Sequence, residues 1–277
     1  MVNKKNKTTF IAEIGLNHNG SLDLAKKHIE KAKESGADIA KFQTYFTNTR
    51  AKLNSPIREI LAQCELDRDD FYELKKFCEQ LDIQFASTPF CEKSADLLNE
   101  LGCETIKVAS FHLSSSKLIK KLLNFSVCKK IIISTGVSSS TQIFHINNLY
   151  ESIENNKPEI AFLHCVSEYP ISSFSNCNLT NIPFIKSFTS KEVGYSDHSI
   201  GIEVPKVAVA LGASIIEKHF TIDNSLEGAD HAMSANPEVF KNMVEQCNNV
   251  IEMFGNKRSN EPFICESNSV QFCVSDN

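Results

Sequence analysis

The sequence predicts an α/β protein, a single-domain (β/α)8 barrel of the TIM-barrel type. Short apolar, β-branched runs alternate with segments of helical periodicity along the chain. Eight such strand-then-helix units fit into about 250 residues, the usual size of this barrel. A doubly wound sheet is the alternative, but it usually has fewer repeats and a glycine-rich nucleotide turn after its first strand. Here that turn is Gly15-x4-Gly20, which has neither the Gly-x-Gly-x-x-Gly spacing nor the Lys-Ser/Thr of a phosphate loop.

The predicted strands are short and rich in apolar and β-branched residues. They cover residues 8–14, 39–44, 84–87, 105–109, 130–134 and 160–164, then a run that begins at Val193 and an eighth at 213–216 that continues into Glu217-Lys218-His219. In the second strand, Lys41 and Gln43 alternate with apolar residues. Both polar side chains are therefore expected on one face of that strand.

Helical periodicity follows the strands. Ser21 is a candidate N-cap of the first helix, in which Leu22, Ala25 and Ile29 recur at helical spacing, and Gly36 is its candidate C-terminal glycine. Further helices are predicted at residues 69–81, 93–101, 117–124, 141–154, 182–188, 201–211 and 237–254. Residues 45–66 form a long insertion with a helical piece at 57–62, and insertions of this length are often functional.

The composition is that of an ordinary globular protein: 277 residues, 42% hydrophobic and 23% charged. A net charge of −5 without a basic stripe argues against a nucleic-acid partner. No run reaches the roughly 18 apolar residues that a membrane span needs. Ten cysteines occur without a Cys-x-x-Cys pair, which is typical of free thiols in a reducing compartment. We therefore expect a soluble, cytoplasmic protein that does not engage membranes.

Polar residues collect at the predicted carboxyl ends of the strands, where barrels of this kind build their catalytic sites. The main ones are Glu13, Lys41, Gln43, Thr88, Lys107, Ser110, Ser134, Thr135, His164, Tyr169, Ser196, Asp197, His198, Glu217, Lys218 and His219. Lysines ringed by hydroxyls suit a phosphate and a carboxylate. His198 and His219 end successive strands, 21 positions apart, and could share a divalent metal. One buried glutamate suits proton transfer.

Each of these residues could instead have a purely structural role. A lone histidine is more often a core or surface residue than a ligand, and Ser134-Thr135-Gly136 could be only a turn. Lys41 or Lys107 could be an interior barrel residue paired with Glu13 or Glu217. Polar ends in several consecutive units nevertheless favour a site, because burying so many unpaired charges would be costly.

Eight ordered stretches carry a resemblance to a known family. They read FIAEIGLNHNGSLDLAKKHI, GADIAKFQT, STPF, IKVAS, IISTG, LHCVSEYP, VGYSDHSIGIEVPKVAVALGASIIEKHF and EGADHAMS. Together they resemble the N-acetylneuraminate (sialic acid) synthase family over residues 8–255.

The resemblance implies a transferase on a (β/α)8 barrel. It condenses phosphoenolpyruvate with the open-chain aldehyde of an N-acetylated hexose, such as N-acetylmannosamine. The products are a nine-carbon 2-keto sugar acid of sialic, legionaminic or pseudaminic type and phosphate, in cell-surface glycan biosynthesis. C3 of phosphoenolpyruvate attacks the aldehyde, water adds at C2, and the tetrahedral intermediate loses phosphate by C–O cleavage.

The resemblance also implies a role for each site residue. Catalytic roles fall to Glu13, Lys41 and Lys107, with Glu13 moving protons. Phosphoenolpyruvate is bound by Lys41, Thr88, Lys107, Ser110, Ser134 and Ser196. The sugar is faced by Gln43, Tyr169 and Asp230, and a divalent metal, Mn²⁺ or Mg²⁺, is held by His198 and His219.

Two departures from the family pattern leave alternatives open. His112 stands where the family usually has an acidic residue that faces the sugar. Residues 256–277 are expected to be a flexible tail or linker remnant after the barrel of residues 1–255, in place of the antifreeze-like domain that gives the partner's site an arginine. We therefore expect a weakened homodimer or a monomer. One alternative is a catalytically impaired phosphoenolpyruvate- and metal-binding barrel that serves as a partner or regulatory subunit. Another is a sister synthase acting on a phosphorylated sugar.

Overall fold

Eight parallel strands close into a barrel in sequence order in the computed structural model, which describes residues 7–154, 157–255 and 263–273. The strands are β1 Thr9–Gly15, β2 Ile39–Thr44, β3 Gln84–Pro89, β4 Thr105–Val108, β5 Lys130–Ser134, β6 Glu159–Cys165, β7 Glu192–Asp197 and β8 Ile215–His219. Because β1 pairs with both β2 and β8, the sheet has no free edge. The predicted fold class and the order of the strands are confirmed.

Helices cover the outside of the barrel between successive strands. They are α1 Leu22–Glu34, α2 Thr47–Arg50, α3 Arg58–Gln63, α4 Arg68–Gln80, α5 Glu92–Glu100, α6 Ser116–Leu123, α7 Ser140–Glu151, α8 Asn181–Thr189, α9 Glu203–Ala210 and α10 Pro237–Met253. The predicted N-cap of α1 is confirmed, since the Ser21 hydroxyl accepts a hydrogen bond from the Leu24 amide. The insertion after β2 holds α3 where a helical piece was predicted, and also α2, which was not predicted.

The inside of the barrel has an apolar lower layer. It consists of Ile11, Ile39, Ala86, Ile132, Ala161, Leu163 and Ile215. Side chains alternate between the two faces of a strand, so the residues two positions further along these strands also point inward. On six strands those residues are Glu13, Lys41, Thr88, Ser134, Cys165 and Glu217. The barrel core therefore changes from apolar to polar in one step and forms the floor of a cavity at the carboxyl ends.

The chain after the barrel is described only in part. Residues 263–273 contain two 3-10 turns, Ile264–Glu266 and Val270–Phe272. The expected flexible tail falls largely on residues 256–262 and 274–277, which lie outside the described residues, so this domain boundary stays a prediction. No helix in the described part of the chain is long and apolar enough to cross a membrane.

Candidate active site

A cavity of about 510 Å³ opens at the carboxyl ends of the strands. Every residue to which a catalytic, substrate-binding or metal-binding role was assigned lines it: Glu13, Lys41, Gln43, Thr88, Lys107, Ser110, Ser134, Tyr169, Ser196, His198, His219 and Asp230. These residues come from all eight strands or from the loops that follow them. The structure thus brings the predicted set together, while the role of each residue stays a prediction.

Two lysines share one carboxylate on the cavity floor. The Lys41 Nζ contacts Glu13 Oε2, lies 3.6 Å from Glu217 Oε2 and donates to Thr88 Oγ1 at 3.2 Å. Lys107 Nζ lies 3.5 Å from Glu217 Oε1. The alternative in which the lysines pair with glutamates thus holds for both of them, and both still line the cavity.

Hydroxyls complete the floor. Lys107 Nζ donates to Ser134 Oγ at 2.6 Å, and Ser196 Oγ donates to Glu217 Oε1 at 2.7 Å. Sequence analysis placed Glu217 among the polar strand ends but gave it no role in the site. Its position two residues after Ile215, on the inward face of β8, is the signal that could have assigned it.

Burial and ion pairing oppose each other at these charges. Burial alone would raise the pKa of Glu217, but Lys107 and Lys41 outweigh it and lower that pKa to about 2. Burial would lower the pKa of Lys41, yet its two glutamate neighbours hold it above the ordinary lysine value. Burial does lower the pKa of Lys107, for which Glu217 is the one carboxylate within ion-pair distance in the described part of the chain. Lys107 thus has less negative charge nearby than Lys41. A bound anion would therefore stabilise the charged form of Lys107 more than that of Lys41.

The wall beside the floor is formed by Ser110, Cys165 and Gly136. Ser110 Oγ lies 3.1 Å from Cys165 Sγ, which also accepts a hydrogen bond from the Gly136 amide at 3.2 Å. A Cβ at position 136 would lie 2.9 Å from Ser110 Oγ and from Cys165 Sγ, and 2.7 Å from Ser167 Oγ. The glycine therefore keeps this wall open around the Ser110 hydroxyl.

The two predicted metal ligands lie side by side on the other wall. The ring centroids of His198 and His219 are 5.8 Å apart, and the ring of Tyr169 lies 4.1 Å from that of His198. His198 Nδ1 donates to the Val166 carbonyl oxygen at 2.6 Å, which leaves its Nε2 without a proton. Burial, together with the neighbouring His219, lowers the pKa of His198 to about 3. Its ring is therefore neutral at pH 7, the form that binds metals.

These histidines fit a partly open metal site. His219 Nδ1 is buried and has no hydrogen-bond partner within the described part of the chain, and Asp230 Oδ2 lies 3.8 Å from it. The described residues contain no group of three or more His, Cys, Asp or Glu side chains arranged to hold a metal. Two imidazoles with free coordination positions suit a divalent ion whose other ligands are water or substrate.

The end of the cavity beside the insertion contains an arginine that sequence analysis missed. The Arg50 guanidinium lies 3.6 Å from the Phe90 ring centroid and 4.5 Å from that of Tyr45. It donates to Gln43 Oε1 at 2.9 Å, and Gln43 Nε2 in turn donates to Glu13 Oε1 at 3.1 Å. The insertion was predicted to be functional, but no motif or periodicity marks this residue within it.

Four polar residues at the strand ends do not line the cavity, which corrects the reading of every strand end as a site residue: Thr135, His164, Asp197 and Lys218. Lys218 Nζ lies 2.5 Å from Asp197 Oδ2 and donates to the Ser199 carbonyl oxygen at 2.6 Å. Asp197 and Lys218 each follow an inward-facing residue, Ser196 and Glu217, so their side chains point to the outer face of the barrel. The ion pair between them links β7 to β8 on that face.

The fold and the cavity together define a class of protein: an enzyme on a (β/α)8 barrel, with its chemistry at the carboxyl ends of the strands. Comparison with known proteins then gives the family. The model of the NeuB family matches residues 28–259, and the chain belongs to this family.

Named relatives agree with this assignment. The chain is 42% identical over 254 residues to the uncharacterized protein MJ1065 of Methanocaldococcus jannaschii, covering 92% of this chain and 74% of that protein. It is 38% identical to the N,N'-diacetyllegionaminic acid synthase of Campylobacter jejuni, over 90% of this chain and 78% of that enzyme. The crystal structure of a sialic acid synthetase from Leptospira borgpetersenii superposes with a TM-score of 0.89 at 33% identity, covering 96% of this chain and 91% of that one.

Proposed function

We propose that this enzyme condenses phosphoenolpyruvate with the open-chain aldehyde of an N-acetylated hexose. The products are a nine-carbon 2-keto sugar acid of the sialic, legionaminic or pseudaminic type and inorganic phosphate. The observation that carries the proposal is one cavity in which a lysine–hydroxyl floor adjoins a neutral histidine pair. The names of the relatives, which are synthases of acids of this type, support the same reaction.

The floor suits the donor substrate. Phosphoenolpyruvate carries a phosphate and a carboxylate close together, and two lysines placed around Glu217 can each meet one of them. The hydroxyls of Thr88, Ser110, Ser134 and Ser196 supply directed hydrogen bonds to the same anion. Because Lys107 has the smaller counter-charge in the free enzyme, we assign it the larger share of the anion's affinity.

Glu13 is placed for proton transfer between the two substrates. It lies across from Lys41 on β2 and from His219 on β8, so its carboxylate borders both the anion site and the histidine pair. One of its oxygens contacts Lys41, and the other accepts from Gln43. In this position it can take the proton of the water that adds at C2 and return it when phosphate leaves.

His198 and His219 would hold the divalent metal, Mn²⁺ or Mg²⁺. A cation bound there supplies Lewis acidity toward the carbonyl oxygen of the aldehyde. The chain's own part is to keep His198 in the required tautomer through the Val166 carbonyl. Tyr169, Asp230 and Gln43, which line the same part of the cavity, would orient the sugar.

The test is phosphate release by the purified protein with phosphoenolpyruvate and Mn²⁺. N-acetylmannosamine and diacetamido hexoses are supplied one at a time, and a phosphorylated N-acetyl hexose is supplied in a separate assay. We expect release with one of these sugars and none without a sugar. His219→Ala should lose this release together with tight Mn²⁺ binding, measured by calorimetry, while exposed His145→Ala keeps both.

Each outcome separates the candidate functions. Release with one sugar supports the synthase and names its acceptor. Binding of phosphoenolpyruvate without release for any sugar supports the catalytically impaired barrel. Release only with a phosphorylated hexose supports the sister synthase. A homodimer and a cytoplasmic location stay predictions, and sedimentation of the purified chain tests the first of them.

A further inference from the structure

We propose that Arg50, with His112 and the ring of Phe90, forms a subsite that recognises an acylamino substituent of the acceptor sugar. This inference rests on the proposed function and goes further by assigning the residues that recognise the acylamino group of the acceptor. It concerns the end of the cavity beside the insertion, away from the lysine floor.

Arg50 is held in place but keeps most of its hydrogen-bonding capacity. Its guanidinium lies over the Phe90 ring and beside the Tyr45 ring, and its Nη1 donates one hydrogen bond to Gln43 Oε1. Among the described residues, no carboxylate lies within ion-pair distance of it, whereas both floor lysines have one. A guanidinium has five N–H donors, so this side chain lines the cavity with donors to spare.

The cavity around Arg50 offers apolar side chains and a histidine. Phe90, Phe111 and Ile57 line the cavity together with Arg50. His112 packs edge-on against Phe90 with ring centroids 5.5 Å apart, and its buried Nδ1 has no hydrogen-bond partner among the described residues. An acylamino group matches this arrangement, because its carbonyl oxygen can accept from Arg50 while its methyl group contacts the rings and its amide meets His112.

A neutral carbonyl fits this end of the cavity better than a phosphate does. Burial lowers the pKa of His112, and the charge of Arg50 adds to that effect, so the imidazole is neutral at pH 7. Of the described cations that line the cavity, Arg50 is then the one without a carboxylate in ion-pair contact, since Lys41 and Lys107 contact carboxylates on the floor. The single positive charge of a guanidinium neutralises only one of the two negative charges of a phosphate dianion. Its N–H groups can, however, supply all the hydrogen bonds that a neutral amide oxygen accepts.

The experiment measures binding of sugar alcohols, which lack the aldehyde and cannot react. N-acetylmannosaminitol, its 6-phosphate and mannitol are titrated into the Mn²⁺- and phosphoenolpyruvate-loaded protein. The variants are Arg50→Gln, Arg50→Lys and, as a matched control, Arg68→Gln, whose exposed arginine pairs with Glu100 on the surface. Thermal unfolding checks that each variant is folded.

We expect Arg50→Gln to weaken N-acetylmannosaminitol binding at least tenfold, Arg50→Lys to weaken it less, and Arg68→Gln to leave it unchanged. Mannitol binding and the affinity for phosphoenolpyruvate should change less than twofold. An unchanged affinity for the acetamido alcohol in Arg50→Gln overturns the subsite. So does an equal loss for mannitol, which would mean that Arg50 only positions Gln43. A loss confined to the 6-phosphate would make the subsite an anion site instead.

The binding measurement separates this inference from the proposed reaction. If the wild-type protein binds N-acetylmannosaminitol through Arg50 but releases no phosphate with N-acetylmannosamine or the diacetamido hexoses, the subsite stands and the synthase reaction fails. If phosphate is released but Arg50→Gln binds the alcohol normally, the reaction stands and the subsite fails. A wild-type protein that does not bind the acetamido alcohol overturns the subsite directly.

Discussion

At the scale of single residues, Glu217 gives the clearest example of charges that depend on one another. Its carboxylate lies 3.6 Å from the Lys41 ammonium and 3.5 Å from that of Lys107, and all three groups are buried. The folded-state pKa of Glu217, about 2, is below its ordinary value of 4.5. A lowered carboxyl pKa contributes stability that is fully present above about pH 4.5 and is lost as pH falls through about 2.

Glu217→Gln should therefore destabilise the free protein at pH 7. Removing one partner of a buried charge cluster typically costs about 3–5 kcal/mol, because the remaining charges stay buried with less compensation. Saturating phosphoenolpyruvate should reduce that deficit, because the bound anion replaces the missing carboxylate beside the lysines. Chemical denaturation with and without phosphoenolpyruvate measures both effects. Equal stability of variant and wild type would mean that Glu13 alone balances the lysines.

At the scale of elements, the loop between β5 and α7 brings Gly136 against the loop that carries Ser110. The three atoms nearest to an added Cβ at position 136 are the ends of the Ser167, Cys165 and Ser110 side chains, which can rotate aside. Gly136→Ala should therefore change the melting temperature little. It should displace the Ser110 hydroxyl and weaken phosphoenolpyruvate binding about tenfold, the size expected for losing a hydrogen bond to a charged group.

A double variant provides the control for that prediction. If Gly136→Ala acts through Ser110, then Ser110→Ala should weaken phosphoenolpyruvate binding to a similar degree, and the double variant should be little worse than either single one. Fully additive losses, measured by calorimetry, would contradict this explanation. They would indicate that the new methyl group blocks the anion itself.

The alternation of side chains along the strands predicted part of the site from the sequence. The alternation of residues along β2 correctly placed Lys41 and Gln43 on one face, and both line the cavity. The same rule applied to β8 separates Glu217 and His219, which line the cavity, from Lys218, which does not. That separation depends on knowing where the strand begins. A shift of one residue reverses every side chain, and the apolar run at 213–216 did not define the register.

The position of Arg50 could not be derived in this way. Its side chain reaches the cavity because α2 ends at that residue and two rings, Tyr45 and Phe90, hold the guanidinium. One of these rings follows β3, about forty positions along the chain from the arginine. Contacts of this kind have no period, and only the closed barrel brings the two loops together. Sequence reasoning therefore predicted the strand-borne residues of the site and the loop residues Ser110, Tyr169, His198 and Asp230, but missed Arg50.

At the scale of the whole molecule, the barrel is closed between its first and last strands by buried polar contacts as well as by backbone pairing. Asn17, in the loop after β1, donates to the Phe220 carbonyl oxygen and to Ser234 Oγ beyond β8. His28 on α1 accepts a hydrogen bond at Nε2 from the Ile222 amide, at 3.3 Å. Such an imidazole must stay neutral, because a protonated Nε2 could not accept this bond.

Acid should therefore weaken the fold through its buried histidines. Burial is the main cause that lowers the pKa values of His18 and His28 from 6.5 to about 4. The unfolded chain takes up these protons below about pH 6.5 while the folded chain does not, so stability falls as pH falls from 6.5 toward 4. Each histidine then lowers the free energy of unfolding by about 1.4 kcal/mol per pH unit below pH 6.5, or by about 2 kcal/mol between pH 7 and pH 5.

His28→Gln tests this assignment, because an amide side chain does not titrate. Loss of the hydrogen bond to Ile222 lowers stability at every pH, so the decisive quantity is the slope of unfolding free energy against pH. Denaturant titrations at pH 7 and pH 5 should show a loss on acidification about 2 kcal/mol smaller than in the wild type. Exposed His145→Gln, on α7, should retain the full wild-type loss. An unchanged slope in His28→Gln would place the acid sensitivity in other groups and leave the closure of the barrel independent of this histidine.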